Sequence, residues 1–493
     1  MTTTTRPAAP PGSRDVRWWS SLARAAGRLG SAVAGPASRA AARYAAWSPA
    51  VRWSVATLVI ALAASIPVLR YLVFWPMDQW QVDVEVYREA GVSILTGRPV
   101  YSAMTEAPQL LPFTYPPFAA IIAIPLALLP FGVIGWLWTI AQVAATTAIV
   151  WYAGWRLIHR TGSLAPLTLA LLTAPMLWLH PVSDGLRFGQ VNAFMVLACL
   201  MDLRRPRPGV LRRIPPGVLV GLAMSIKLTP GVFVVHYLVN RRWKEAATAV
   251  GTAVAVTVGS WLLLPEASFA FWGGALQDPA RLGPNAGTSN QSIRGFLLRV
   301  GPDGLAGNVL WLVLVAVVGV IGYSLARRAY RAGDSISEVA AVGLMAVLLS
   351  PVAWIHHLHW MVVVVFAVLG ADPLRDRRRV WAAAAITGFF LCRMPWWGIS
   401  WLNQRSWPQW PGRILQNADT FGSLLALGLL WWALHLPAAA RRSDADVGAG
   451  GASEVGTDGA DGADGADPGL YGADLGAAGA GSPASDRSAV DAR

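Results

Sequence analysis

The chain has 493 residues, 55% of them hydrophobic and only 14% charged, with a mean hydropathy of +0.45. A soluble domain of this size needs more charge to face water, so composition excludes one and predicts an all-α polytopic membrane protein. The net charge of +13 divides into −8 on residues 443–493 and +21 on residues 1–442. Such a basic body fits positive cytoplasmic loops, anionic membrane lipids and phosphate-bearing substrates, and nucleic acid is not expected as a partner.

Residues 1–52 carry eight Arg and one acid and read as a basic cytoplasmic arm, in part an amphipathic helix on the membrane surface. Residues 53–75 are apolar and long enough to span a bilayer, which takes roughly 20 residues. The arm is too long for a cleaved signal peptide, so this run reads as a signal anchor with its N-terminus inside. It opens a transmembrane domain over 53–437. Residues 76–115 then form the first external loop, and from Pro76 to Pro117 Asp78, Asp83, Glu85, Glu89 and Glu106 face only Arg88 and Arg98.

Further spans are predicted at 134–157, 165–182, 187–203, 245–265, 304–327, 336–352, 355–371, 379–397 and 419–437. Two apolar runs, 116–131 and 215–240, are too short or too interrupted to count as full crossings. They read as broken or re-entrant hairpins, which survive only when buried in protein or lining a wet cavity. The count is about 10–12 transmembrane helices. The 25 Trp fit interfacial belts. Arginine clusters at 204–213, 241–244, 327–331, 375–379 and 441–442 are expected in the cytoplasm, together with both termini.

This leaves 76–115, 183–187, 266–303, 352–360 and 398–418 outside, where nearly every unusual polar residue lies. A polar site facing outward follows. Residues 438–493, rich in Gly, Ala and Asp, bury too little apolar area to fold and read as a disordered cytoplasmic tail. Cys199 and Cys392 lie in apolar runs, with neither a disulfide framework nor a zinc spacing.

The residues able to do chemistry are few. A helix starting near Asp83 places Asp83 and Tyr87 on one face. Asp83 is then either a helix cap or a general base that removes a proton from an attacking hydroxyl. Glu85 and Glu89 are alternative bases, although Glu85 faces away from Asp83.

In SPVAWIHHLHW, His356 and His359 share a helix face while His357 is rotated away. They satisfy the membrane interface, or contact a phosphate, or orient the base. No acid lies nearby in sequence, so a metal is not expected. Asn290, Gln291, Ser292 and Arg294 form either a plain loop or a set of donors for sugar hydroxyls, with Arg294 suited to a phosphate. Lys227 is one of only two lysines, inside the 215–240 hairpin. It is either functional at membrane depth or snorkels to the cytoplasmic edge. Tyr115 in FTYPP and Gln190 in FGQVN complete the candidates. Walker, Rossmann and serine-elbow patterns are missing, so cytosolic nucleotide-sugar chemistry has no support.

In order along the chain, DVEVYREAGVSILTGRPVY, FTYPPFAAIIAIPLALLP, GQVNAFMVLACL, GLAMSIKLTPGVFVVHYLVNRRW, NQSIRGFL and SPVAWIHHLHW resemble family 87 of the GT-C glycosyltransferases. The resemblance covers about residues 53–437. It implies a GT-C fold and α-1,2-mannosyl transfer from polyprenyl-phosphate mannose to a glycolipid or lipoglycan acceptor of the phosphatidylinositol mannoside and lipomannan type. The reaction would run at the outer face of the plasma membrane, without a cofactor and with inversion. It also implies Asp83 as general base and either His356 or His357 beside the donor phosphate. The family includes arabinosyl donors as well. A transporter of lipid-linked sugars, the rival class, calls for inverted repeats and midplane charges, whereas here no repeat is found and the charges cluster at one face.

Overall fold

Long apolar runs must satisfy their backbone polar groups internally, and helices do so. The computed structural model describes residues 38–74, 80–205, 207 and 209–436, and these hold only helices, turns and two isolated β-bridges. Asp78, most of the basic arm and the acidic tail lie outside the described residues.

The first span is α1 (Pro49–Phe74), and the polar stretch after it forms the short helix α2 (Val82–Leu95). Two short pieces, Pro117–Ile122 and Ile124–Ala127, lead into α3 (Phe131–Ala153). Next come α4 (Ala165–Trp178) and α5 (His180–Phe188), bent by 76° where Leu179 turns extended. The following helices are α6 (Asn192–Leu203), α7 (Val218–Ile226), α8 (Val232–Val239), α9 (Trp243–Leu263) and α10 (Gly304–Arg331). After α11 (Ser335–Leu348), a 3-10 helix at Ile355–Trp360 carries the histidines into α12 (Met361–Leu369). The described fold closes with α13 (Arg377–Leu391), α14 (Met394–Leu402), α15 (Gln409–Gln416) and α16 (Ala418–His435).

Among the described residues four helices, α1, α3, α9 and α10, are long and apolar enough to cross a membrane, and the bent pair, counted as one span, makes a fifth. The protein is an all-α polytopic membrane protein. Other expected spans are shorter: α6 has 12 residues and α11 has 14. At 1.5 Å per residue such helices reach about 18–21 Å, well short of a ~30 Å hydrocarbon core. Hydropathy cannot make this distinction, because α11 and α12 are apolar from being buried by protein. Their small residues allow close approach: a Cβ on Gly343 would enter the ring of Trp360.

Both interrupted runs are broken. Lys227 is extended (φ −148°, ψ 128°) and separates α7 from a 3-10 turn at Thr229–Gly231 that starts α8.

At one end of α6, Asp202 accepts hydrogen bonds from the Gly217 and Val220 backbone N–H groups, both at 2.9 Å, and caps α7. Close by, fully buried Glu338 holds Arg242 at 3.1 Å, His236 at 2.8 Å and Arg205. Arg205 and Arg242 also stack on Tyr330 at 4.7 and 5.2 Å. Three arginine-rich segments distant in sequence thus meet at one end of the bundle. Asn192, at the other end of α6, belongs to a different polar cluster.

Candidate active site

Gln81 sets the position of α2. It adopts a left-handed backbone (φ 59°), uncommon for a residue with a Cβ. Its N–H donates to the Arg187 carbonyl at 2.8 Å, and its Nε2 donates to Thr139 Oγ1 at 3.0 Å and the Leu186 carbonyl at 2.9 Å. The start of α2 is thereby fixed to α3 and α5. Gly189 ends α5 at φ 73°, and any Cβ there would strike Gln81 and Val84.

Asp83 lies in the first turn of this anchored helix, but Gln81 occupies the cap position, so the expected capping role falls away. The half-buried carboxylate accepts a hydrogen bond from Gln190 and lies in the field of His356 and Lys227. Burial pushes its carboxyl above the ordinary range, and His356, Gln190 and Lys227 oppose that rise. Glu85 accepts from the Glu106 N–H at 3.1 Å, and Glu89 pairs with Arg98 at 2.7 Å.

Two tyrosines line the same space. Tyr87 and Tyr115 place their hydroxyls 3.1 Å apart with rings edge to face at 5.3 Å. Tyr101 donates to the Tyr115 carbonyl at 2.7 Å and is itself held through its carbonyl by Arg281 at 2.8 Å. Gln190 also hydrogen-bonds Tyr115.

Because the chain is extended at Lys227, its side chain reaches this cluster instead of snorkelling to the arginine-rich end. Nζ lies 2.8 Å from His357 Nε2, 3.3 Å from Asn192 Oδ1 and 5.5 Å from the Tyr115 ring centre. Asn192 also donates to the His356 carbonyl at 2.9 Å. The His356 ring places Nδ1 3.4 Å from Asp184 Oδ2.

The structure does not put His356 and His359 to a shared use. Leu358 breaks the helical geometry (ψ 17°), and His359 is buried with Nε2 3.3 Å from Thr146 Oγ1. His356 and His357 instead have ring centres 5.0 Å apart.

Asn290 and Gln291 lie behind the histidine segment, both 0% exposed. Asn290 Oδ1 accepts from the Ala353 N–H at 3.0 Å, and the Gln291 N–H donates to the Ala353 carbonyl at 2.7 Å. The Gln291 amide joins the Thr288 and Gln416 carbonyls and Thr420. Ser292 caps the helix Ile293–Val300 through the Gly295 N–H at 3.0 Å. Arg294 stacks on Trp311 at 5.3 Å, apart from the cluster.

The structure therefore brings together Asp83, Tyr87, Tyr115, Gln190, Lys227, His356 and His357, from segments spread over most of the domain. The sequence reading overlooked Asn192, which bridges Lys227 and His356, and the partnership of Asp184 with His356. An asparagine two residues after Gln190, at the start of an apolar helix, was the available signal. Among the described residues, no three His, Cys, Asp or Glu side chains are grouped to hold a metal ion. Chemically, the cluster offers a proton acceptor beside a cation and imidazoles that suit a departing anion.

Residues 113–351 match the family model described as glycosyltransferase family 87. The chain is 31% identical over 366 residues to a polyprenol-phosphate-mannose-dependent alpha-(1-2)-phosphatidylinositol pentamannoside mannosyltransferase of Mycobacterium tuberculosis, covering 74% of this chain and 82% of the relative. It is 32% identical over 378 residues to a polyprenol-phosphate-mannose-dependent alpha-(1-2)-phosphatidylinositol mannoside mannosyltransferase of the same species, covering 72% and 83%. It is 33% identical over 327 residues to a polyprenol-phosphate-mannose-dependent alpha-(1-2)-phosphatidylinositol pentamannoside mannosyltransferase of Mycolicibacterium smegmatis, covering 65% and 76%. No solved structure matches the chain.

Proposed function

The chain belongs to glycosyltransferase family 87, and from that premise we propose that it transfers a mannosyl group from polyprenyl-phosphate mannose to a hydroxyl of a phosphatidylinositol mannoside or related lipoglycan. The link formed is α-1,2, with inversion, at the outer face of the plasma membrane. One observation carries the mechanism: Asp83 shares a cluster with Lys227 and His356. Base and phosphate-binding cations stand side by side.

Asp83 removes the acceptor hydroxyl proton as the oxygen attacks the anomeric carbon, while the bond from that carbon to the phosphate oxygen breaks. The electron pair leaves with the lipid phosphate, whose charge Lys227, His357 and His356 receive. Gln190, Tyr87 and Tyr115 shape the space beside Asp83. Asn290 and Gln291 act from behind, holding the segment that presents the histidines.

Two observations support the orientation and the sugar. The arginine-rich segments and the cluster occupy opposite ends of α6, which under the positive-inside rule favours an outward site. The relatives are named for mannose, which favours it over arabinose. Incubating the purified protein with polyprenyl-phosphate mannose and a phosphatidylinositol mannoside should yield a product one hexose larger and sensitive to an α-1,2-mannosidase. Extension only with polyprenyl-phosphate arabinose would overturn the sugar assignment, and no extension with either would overturn the reaction.

A further inference from the structure

The reaction leaves one buried acid of the cluster without a role. Asp184 lies in the middle of α5, its side chain 4% exposed, against a His356 side chain that is 7% exposed. One carboxylate oxygen is 3.4 Å from His356 Nδ1, and the other is 3.7 Å from Arg393 Nη2. His356 is held on three further sides. Asn192 binds its carbonyl at 2.9 Å, and Phe188 and His357 place their rings at 5.4 and 5.0 Å. Its Nε2 is buried and has no hydrogen-bond partner among the described residues.

A carboxylate only accepts hydrogen bonds, whereas a neutral imidazole has one N–H and one lone pair. Asp184 therefore requires the proton on Nδ1. The residue is pinned by its backbone carbonyl and its ring by one nitrogen, and the other ring nitrogen is left buried without a hydrogen-bond partner among the described residues.

We infer that Asp184 is a positioning residue for the transfer: it holds the His356 ring with Nδ1–H directed at its carboxylate, and its charge sustains the imidazolium whose Nε2–H meets the departing phosphate. This rests on the mechanism proposed above. No covalent step or net proton transfer is added, since the imidazolium lends a hydrogen bond and keeps its protons. The groups facing His356 are Asp184 from α5, Asp83 from α2 and His357 beside it, and Lys227, from the turn after α7, faces Asp83 and His357 in turn. Asp184 in turn faces His180, Arg187, Arg393 and Tyr71.

The test uses the full-length protein in nanodiscs. Replacing the carboxylate by an amide weakens the hold on the His356 Nδ1–H, so the loss should fall on turnover, where the phosphate departs, and hardly on substrate binding. Asp184→Asn is expected to lower kcat about tenfold or more, with acceptor KM within about twofold and the melting temperature unchanged. Asp184→Glu, which keeps the carboxylate, should recover most of the parental kcat. In an Asp184→Asn/His356→Gln double variant the losses should not multiply.

An Asp184→Asn variant with parental kcat would overturn the proposal, as would losses that multiply in full. Nitrogen-15 histidine spectra test it without any variant or turnover. In the parent they should show a proton on His356 Nδ1, and a ring with Nδ1 bare and the proton on Nε2 would overturn the proposal. Because that readout needs no substrate, it separates failure of this inference from failure of the mannosyl-transfer reading.

Discussion

Lys227 Nζ lies 2.8 Å from His357 Nε2 across a sequence separation of 130 residues. Its other close polar partner is Asn192 Oδ1 at 3.3 Å. Neither hydrogen-bond partner carries negative charge, and the Asp83 carboxylate acts on the ammonium group only through the field they share, so the cation is positioned for an incoming anion. Hydrogen bonds in which one partner is ionised are roughly twice as strong as neutral ones.

Replacing the charge with an apolar chain should therefore act on the donor. Lys227→Met is expected to raise donor KM and lower kcat, together by about 10²-fold in kcat/KM, with Lys227→Arg intermediate. Steady-state kinetics with varied donor checks this. Parental values for Lys227→Met would place the donor phosphate elsewhere.

Asn290 and Gln291 should behave as structural residues. Each buried backbone or side-chain group left unpaired costs about 1–3 kcal/mol, and Gln291 engages Thr288, Gln416 and Thr420 at once. Gln291→Ala should lower the melting temperature by several degrees, with donor and acceptor KM near parental in the protein that remains folded. A parental melting temperature with a raised acceptor KM would mean that the side chain touches the sugar.

This contrast shows what was legible in the sequence. Asp83, His356, His357 and Lys227 stood out because ionisable groups are costly beside an apolar slab. Asn290 and Gln291 stood out for the same polarity, yet the sequence cannot say whether a donor faces a substrate or the backbone of Ala353. The broken runs around Lys227 and Pro117 were readable from length and proline content. The short helices α6 and α11 were not, because an apolar helix enclosed by protein and one enclosed by lipid have the same composition. Asp184 escaped as the partner of His356 because 172 residues separate them.

Orientation has a direct check. With Cys199 and Cys392 replaced, single cysteines at exposed Ser102 and exposed Ala332 should react with a membrane-impermeant thiol reagent from opposite sides, Ser102→Cys from outside. Reaction of both from one side would contradict the proposed topology.

The pH dependence of the proposed base follows from its burial. Folding raises the Asp83 pKa, and the general base works only as a carboxylate, so the acid limb of kcat/KM should lie above the ordinary aspartate value of ~3.9. The same shift has a sign for stability. A carboxyl whose folded pKa is raised loses stability as pH rises through the shifted value, and below the ordinary value that loss vanishes. Asp83→Asn carries no charge and should melt at or above the parental temperature at neutral pH. A clearly lower melting temperature would show that the carboxylate stabilises the fold.

Turnover of purified Asp83→Asn, with polyprenyl-phosphate mannose and a phosphatidylinositol mannoside acceptor, tests the proposed mechanism most directly. The amide keeps the shape and the hydrogen bonding but cannot take the proton, a contribution worth about 10²–10⁴ in rate. Turnover should fall by at least two orders of magnitude while donor affinity stays within about twofold. Glu85→Gln and Glu89→Gln should remain near parental, since those carboxylates are engaged by the Glu106 N–H and by Arg98. Parental turnover by Asp83→Asn would contradict the mechanism.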